Sequence, residues 1–257
     1  MQEISDTMDS NDIHSISHSY WSGRADDFSE LRMAEYDTPM HKNLLAFIRN
    51  ILPLRENIKA LDVGCGAGFL TLLLLELGCE TISIDFSHDM LKKAESNCHD
   101  KGFDHGFTLF EMDAQNMSFN DNSFDFIVTR NVTWTLPDAR QAYREMFRVL
   151  NPGGVLLNID ANYGKTFNEA DARGETPKHP TQTLEQLRIR NSISRDLDVT
   201  KADRPSWDMA ILWEEGAEEV RCIRDIEHKL RISDYNQISV TASKNLRSSL
   251  FAVIAVK

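Results

Sequence analysis

Cysteine is scarce in this chain. Four residues (Cys65, Cys79, Cys98 and Cys222) are scattered through 257, with no C-x-x-C pair. That pattern supports neither a disulfide framework nor a zinc site, and it leads us to expect a reduced, cytoplasmic setting and no bound metal. Long apolar runs are also missing. The longest, Phe69 to Leu75, is broken at Thr71 and ends at Glu76, well short of the roughly 18–20 residues of a membrane span. Met1 to His18 has no basic region followed by an apolar one, so we expect a loosely ordered polar tail rather than a secretory signal. Positive charge is outnumbered: 28 Lys and Arg face 40 Asp and Glu, for a net charge of −12. Such a balance opposes nonspecific attraction to nucleic acid or to an anionic membrane, and neither is expected as a partner. Internal repeats, low-complexity tracts and a second-domain linker are not evident. With 41% hydrophobic residues, the chain has enough for one α/β core.

What the sequence does have is concentrated in Ala60-Leu-Asp-Val-Gly-Cys-Gly-Ala-Gly-Phe69. A short apolar strand enters three glycines at alternate positions, Gly64, Gly66 and Gly68, and then the helix-like run from Phe69 to Leu77. Asp85 closes a second short strand 21 residues after Gly64. Strand, glycine turn, helix, strand and acid is the arrangement by which a doubly wound α/β protein holds a nucleoside. A dinucleotide fingerprint would read G-x-G-x-x-G, but here the third glycine is replaced by bulky Phe69. The motif therefore suits a ligand without a pyrophosphate better.

Around this motif, patterning predicts helices from Tyr20 to Tyr36 and from His41 to Leu52, the second started by Thr38-Pro39. Strands are expected at 59–63, 80–85, 107–112, 124–129 and 155–159. Helices are expected at 68–77, at 87–101 with Ser87 as its cap, and at 137–150, the last stopped by Asn151-Pro-Gly-Gly154. A long polar stretch, 163–205, has helical character at 184–196 and reads as a lid or binding segment. A helix at 206–216 and strands at 220–230 and 250–256 complete the pattern. The expected organisation is an N-terminal tail and cap over residues 1–37, then one domain over 38–257 carrying the insertion.

Ligands of an open parallel sheet sit beyond the carboxyl ends of its strands. Those ends here bear Asp62, Asp85, Asp113, Arg130-Asn131 and Asp160-Ala-Asn162-Tyr163. Acids there suit a cationic ligand with a ribose diol and an exocyclic amine. Asp85 can accept from the diol, and Phe86 can lie on an adenine face. Asp113 can accept from the amine while the Ala114 N–H donates to the ring. Asp62 either places an amino group or caps the glycine turn, and Cys65 contributes mainly backbone.

These residues resemble a family. The chain looks like the class I S-adenosylmethionine-dependent methyltransferases, in the small-molecule branch called type 11. The resemblance spans about residues 58–160. It rests on Leu61 to Gly68, Ile84-Asp-Phe-Ser-His-Asp-Met90, Asp113 to Phe119, Ser123 to Val128 and Glu145 to Gly154. It implies a Rossmann-like methyltransferase fold: α/β, a doubly wound, seven-stranded, mostly parallel sheet of order 3-2-1-4-5-7-6, with an antiparallel last strand and helical caps. It implies S-adenosylmethionine as cofactor, held at Gly64, Gly66, Gly68, Asp85, Phe86 and Asp113. Met90, Ala114 and Asn131 stand in or beside the matched motifs and are further cofactor candidates.

Tyr20 and Arg24 are expected around the methionine moiety, with Arg24 pairing its carboxylate. Asp160 or a cap histidine is the candidate base, with Tyr163 beside it. His14, His18 and His41 are otherwise read as solvated. Trp134, Trp207 and Trp213 either pack or form a substrate wall, and Arg188, Arg190 and Arg195 default to a solvated helix face. The expected activity is methyl transfer to a small-molecule substrate by a monomer or homodimer. Methylation of a protein or nucleic acid, a non-catalytic cofactor-binding role, and a nicotinamide-dependent oxidoreductase remain alternatives.

Overall fold

The computed structural model describes residues 10–174, 182–195, 197–230 and 249–257. Two helices come first, α1 (Ser10–Ser22) and α2 (Ala25–Tyr36), parted at Gly23. The tail expected over 1–18 is thus helical from Ser10 onward, and its first nine residues lie outside the described residues. Helix α1 is polar because only one side of it is buried, where Ile13 and Tyr20 pack with Ile193 and Leu197. Helix α3 (Pro39–Arg49) starts where Thr38-Pro39 predicts it: the Thr38 hydroxyl accepts from the Met40 N–H at 3.3 Å, with proline in the first turn.

From β1 (Lys59–Val63) the chain alternates: α4 (Phe69–Glu76), β2 (Glu80–Asp85), α5 (His88–Asp100), β3 (Phe107–Glu111) and β4 (Phe124–Arg130). Strand β1 carries Leu61 and Val63 on one face and Ala60 and Asp62 on the other, all buried. It lies between β2 and β4, parallel to both. Gly68 takes φ +84° at the start of α4, and a Cβ there would stand 3.1 Å from the Ala94 Cα of α5. The third glycine of this turn therefore lets α4 and α5 pack closely, while Phe69 turns into the core.

A short 3₁₀ turn (Thr133–Thr135) leads to α6 (Ala139–Val149) and β5 (Leu150–Asp160). Strand β5 begins five residues earlier than expected. Asn151-Pro-Gly-Gly154 does end the helix, but it does so as an irregularity inside the strand, because Leu150 already pairs with Phe124 before Val155 pairs with Phe126. The insertion holds α7 (Tyr163–Ala172), α8 (Leu184–Arg195) and the short α9 (Asp198–Lys201). Its residues 175–181 and 196 lie outside the described residues. Then come α10 (Ser206–Glu214), β6 (Glu219–Arg224), α11 (Ile226–Lys229) and β7 (Phe251–Val256). The strand expected over 220–230 stops at Arg224, because Asp225 adopts a left-handed backbone (φ +53°) and starts α11.

The sheet order is β3-β2-β1-β4-β5-β7-β6, with β7 antiparallel to both of its neighbours. The order reverses at β1 and β4, so the carboxyl ends of these strands open onto the switch point that favours ligands.

Beside that opening lies a fully buried ionic network. Arg204, ahead of α10, donates to Asp208 at 2.6 Å and to the Thr133 hydroxyl at 2.7 Å, and stands 3.3 Å from Asp160. The Tyr143 hydroxyl donates to Asp208 at 2.6 Å and accepts from Asn158. The arginine and both carboxylates have no exposed side-chain surface, so losing the guanidinium leaves two buried acids without a counter-ion. Arg204→Met is therefore expected to lower unfolding free energy by about 3–5 kcal/mol, read from urea denaturation, with Arg204→Lys falling between it and wild type.

Candidate functional site

The glycine turn and the end of β2 are joined by one carboxylate. Asp85 accepts from the Gly66 N–H at 2.9 Å through Oδ2 and from the Ser87 N–H at 2.9 Å through Oδ1. The Gly64 and Cys65 N–H groups both donate to the Ile84 carbonyl. Asp85 is buried, and burial pushes its carboxyl up to about 6 despite these backbone donors. Ser87 also caps α5 by accepting from the Met90 N–H, and its hydroxyl meets that of Ser22 from α1 at 2.8 Å.

Above this floor is a cleft of about 750 Å³, open solvent at its mouth included. Of the residues singled out from the sequence, Gly64, Gly66, Asp85, Phe86, Met90, Asp113, Ala114 and Asn131 line it together. A Cβ on Gly66 would stand 2.9 Å from the Phe28 ring of α2, so the cleft keeps its shape there only with glycine. Asp113 accepts from the Gln115 backbone and side-chain amides at 2.8–3.1 Å.

Other candidates stand elsewhere. Asp62 and Cys65 lie beneath the surface rather than on it. Asp62 accepts from the Thr71 hydroxyl at 2.8 Å, and burial raises its carboxyl to about 7. Arg24 does not line the cleft, and its guanidinium binds Asp27 at 2.6 Å. Tyr20 faces away, donating to Gln182 at 3.2 Å, because the cleft side of α1 is the one that carries His14, Ser17 and Trp21. Asp160 is unsuited to be a base. Its carboxylate has no exposed surface and is engaged by the Thr133 hydroxyl, the Trp134 and Ala161 N–H groups and Arg204.

The three tryptophans do not form one wall. Trp134 packs against Tyr163 and Phe167, Trp207 lies under Arg140, and Trp213 is half exposed. Tyr163 stands behind the cleft lining, and its hydroxyl donates to Oδ1 of cleft-lining Asn131 at 3.3 Å. Asn131 has φ +58°, its N–H donates to the Ile159 carbonyl, and its carbonyl accepts from the Trp134 indole at 3.0 Å.

The structure adds wall residues that sequence reasoning passed over. His14, read as solvated, lines the cleft 3.4 Å from Asp113, and both His14 and His18 set their rings edge-on to Phe86. A four-residue helical spacing between the two histidines was the available signal. His41 instead binds Glu76 at 2.8 Å and stacks on Tyr36. Arg130, visible in the sequence as the last residue of a strand, also lines the cleft. It donates to Glu35 at 3.1 Å and lies over the Phe69 ring, while Glu35 in turn holds Arg32 at 2.8 Å. Among the described residues no group of three or more acids, histidines or cysteines is arranged to hold a metal, and no helix is long and apolar enough to cross a membrane.

Residues 61–158 match the family model described as a methyltransferase domain. Over 112 residues the chain is 34% identical to the demethylmenaquinone methyltransferase of Anoxybacillus flavithermus, which covers 42% of this chain and 47% of that one. It is 30% identical over 110 residues to a sterol 24-C-methyltransferase of Aspergillus fumigatus, covering 42% and 29% respectively. The matches thus span less than half the length of either relative. Among solved structures, a putative S-adenosyl-L-methionine-dependent methyltransferase from Methanococcus maripaludis superposes with TM-score 0.59 at 20% identity, over 93% of this chain and 94% of that one. Phosphoethanolamine N-methyltransferase 2 of Haemonchus contortus, solved with S-adenosyl-L-methionine, gives TM-score 0.57 at 19% identity, over 84% and 52%. At these identities the structural likeness establishes the fold.

The two buried acids carry a pH dependence. A carboxyl whose pKa is higher folded than unfolded binds protons more tightly in the native state, so stability falls as pH rises through the interval between the two values. For Asp62 that interval runs from the ordinary 3.8 to about 7, and for Asp85 from 3.8 to about 6. Asp62→Asn keeps an acceptor for Thr71 and removes the charge. It is expected to flatten the loss of stability between roughly pH 4 and 8 and to add about 2 kcal/mol at the upper end, measured by urea unfolding across pH.

Proposed function

We propose that this chain, whose residues 61–158 match a methyltransferase domain, is a class I S-adenosylmethionine-dependent methyltransferase that transfers the methyl group to a small-molecule acceptor. The single observation behind this reading is the cleft floor, where Asp85 ties the glycine turn to the end of β2 and presents Phe86 beside it. When bound, the cofactor supplies an electrophilic methyl group on a sulfonium.

The residues present fit that group chemically. Asp85 has lone pairs left for a ribose diol, and Asp113 and the Ala114 N–H suit an exocyclic amine and a ring nitrogen. Phe86, bracketed by two histidine edges, offers a flat face. Arg130 lines the cleft and takes the role expected of Arg24, that of facing a carboxylate, with Glu35 and Arg32 fixing its guanidinium. Acids around the cleft favour a cationic guest over an anionic one.

On the acceptor side, Asn131 and Tyr163 are the polar pair. Methyl transfer is an in-line displacement, so alignment and exclusion of water supply much of the rate. The Tyr163 hydroxyl, held by Asn131, is placed to orient an acceptor, and the buried Asp160 network holds the backbone that carries both residues. A small molecule as acceptor is supported by the names of the two relatives above and by the net charge of −12.

Calorimetric titration with S-adenosylhomocysteine is expected to give one site per chain. Asp85→Asn, which keeps the shape but not the charge, is expected to weaken that binding by about ten- to a hundredfold, the value of a charged hydrogen bond. Wild-type protein that binds neither S-adenosylhomocysteine nor S-adenosylmethionine would refute the reading.

A further inference from the structure

The acid suited to the cofactor's exocyclic amine is itself held by an amide. Asp113 stands just past β3, and both of its carboxylate oxygens accept from Gln115 Nε2, at 3.0 and 3.1 Å. The Gln115 backbone N–H adds a third bond, to Oδ1 at 2.8 Å. The other end of the same side chain is engaged as well, since Gln115 Oε1 accepts from the Asp138 N–H at 2.7 Å. Asp138 caps α6, where its own carboxylate accepts from the Gln141 N–H at 2.9 Å. Asp113 and Gln115 both line the cleft, and so do Thr135, Leu136 and Pro137, which lead into Asp138.

This chain of bonds has only one polarity. A backbone N–H donates and cannot accept, so the Gln115 oxygen must face Asp138 and its NH2 must face Asp113. The partners thus remove the usual ambiguity between the two ends of an amide. A carboxylate accepts and cannot donate, so Asp113 offers the cleft acceptor capacity alone. Oδ1 carries two of the three bonds and Oδ2 carries one. His14 stands 3.4 Å from Oδ2, longer than an ordinary N–H···O bond, which leaves that oxygen able to take a further donor. Without Nε2 only the backbone N–H would remain. A single donor fixes one oxygen but not the plane of the group.

We propose that Gln115 is a positioning residue for base recognition, fixing the plane and polarity of the Asp113 carboxylate so that the cleft selects a purine bearing an exocyclic amine. Both ends of the Gln115 amide are used inside the protein, so it acts through Asp113 rather than by touching the base. The same side chain is tied to the wall at 135–137, which joins base reading to the shape of the cleft. The inference rests on the cofactor reading of the cleft, because that reading supplies the amine.

The test compares S-adenosylhomocysteine with its analogue carrying hydrogen in place of the exocyclic amine. Each is titrated calorimetrically into the full chain at about pH 8, where carboxyl groups are ordinarily ionised. Wild-type protein is expected to bind S-adenosylhomocysteine at least about tenfold more tightly than the analogue. Gln115→Met, which keeps the length and removes both side-chain bonds, is expected to bring that preference to within about threefold while leaving affinity for the analogue within about twofold. Gln115→Glu keeps an acceptor for the Asp138 N–H but has no donor for Asp113, and is expected to lose the preference to the same extent. Either variant keeping the wild-type preference would overturn the proposal. So would an equal loss of affinity for both ligands, which is what a merely structural role gives. Equal binding of the two ligands by wild type overturns it too, while leaving the methyl-transfer reading in place. Wild-type protein that binds neither ligand refutes that reading and this proposal with it.

Discussion

The cleft depends on the carboxylate of Asp85. One side chain accepts from Gly66 on one turn and from Ser87 on the next, so the glycine turn after β1 and the start of α5 cannot move independently. Through Ser87 the same point reaches Ser22 of α1, and α1 brings Trp21 and His14 to the cleft. A buried acid with a raised pKa is costly to keep charged. Its position at the meeting of three elements accounts for how a site made of short turns is held in place.

Much of this was readable from local signals. The strands from Lys59 to Arg130 lie within a residue of where patterning puts them, because each is bounded by its own turn chemistry. The glycine spacing, Asp85 and Asp113 are likewise short-range features, and the cleft brings them together. What stayed hidden depended on partners distant in sequence. Helix α1 looks like a tail because its apolar residues are few, and only α8, some 170 residues later, makes them a core. Arg190 sits in a helix whose composition is that of a solvated surface, and its burial comes from α1 and α7. Asp160 has the sequence position of a base, yet Arg204, 44 residues downstream, draws its carboxylate inward.

Two kinds of buried charge occur among the described residues. The Asp160–Arg204–Asp208 network is satisfied on nearly every side and serves as a brace for the exits of β4 and β5. Arg190 stacks on Phe167 and takes the neutral Asn191 as its side-chain acceptor. The first pattern is what rigidity requires.

The backbone at Asn131 carries a consequence of its own. Its φ of +58° lies in the left-handed region, where glycine would rest without penalty and an amino acid with a Cβ gives up of order 1 kcal/mol. Three hydrogen bonds, from its own N–H, to its carbonyl and to its amide oxygen, hold that conformation in place. With an asparagine there, the strand end that leads out of β4 keeps an amide at the cleft, held by bonds on three sides.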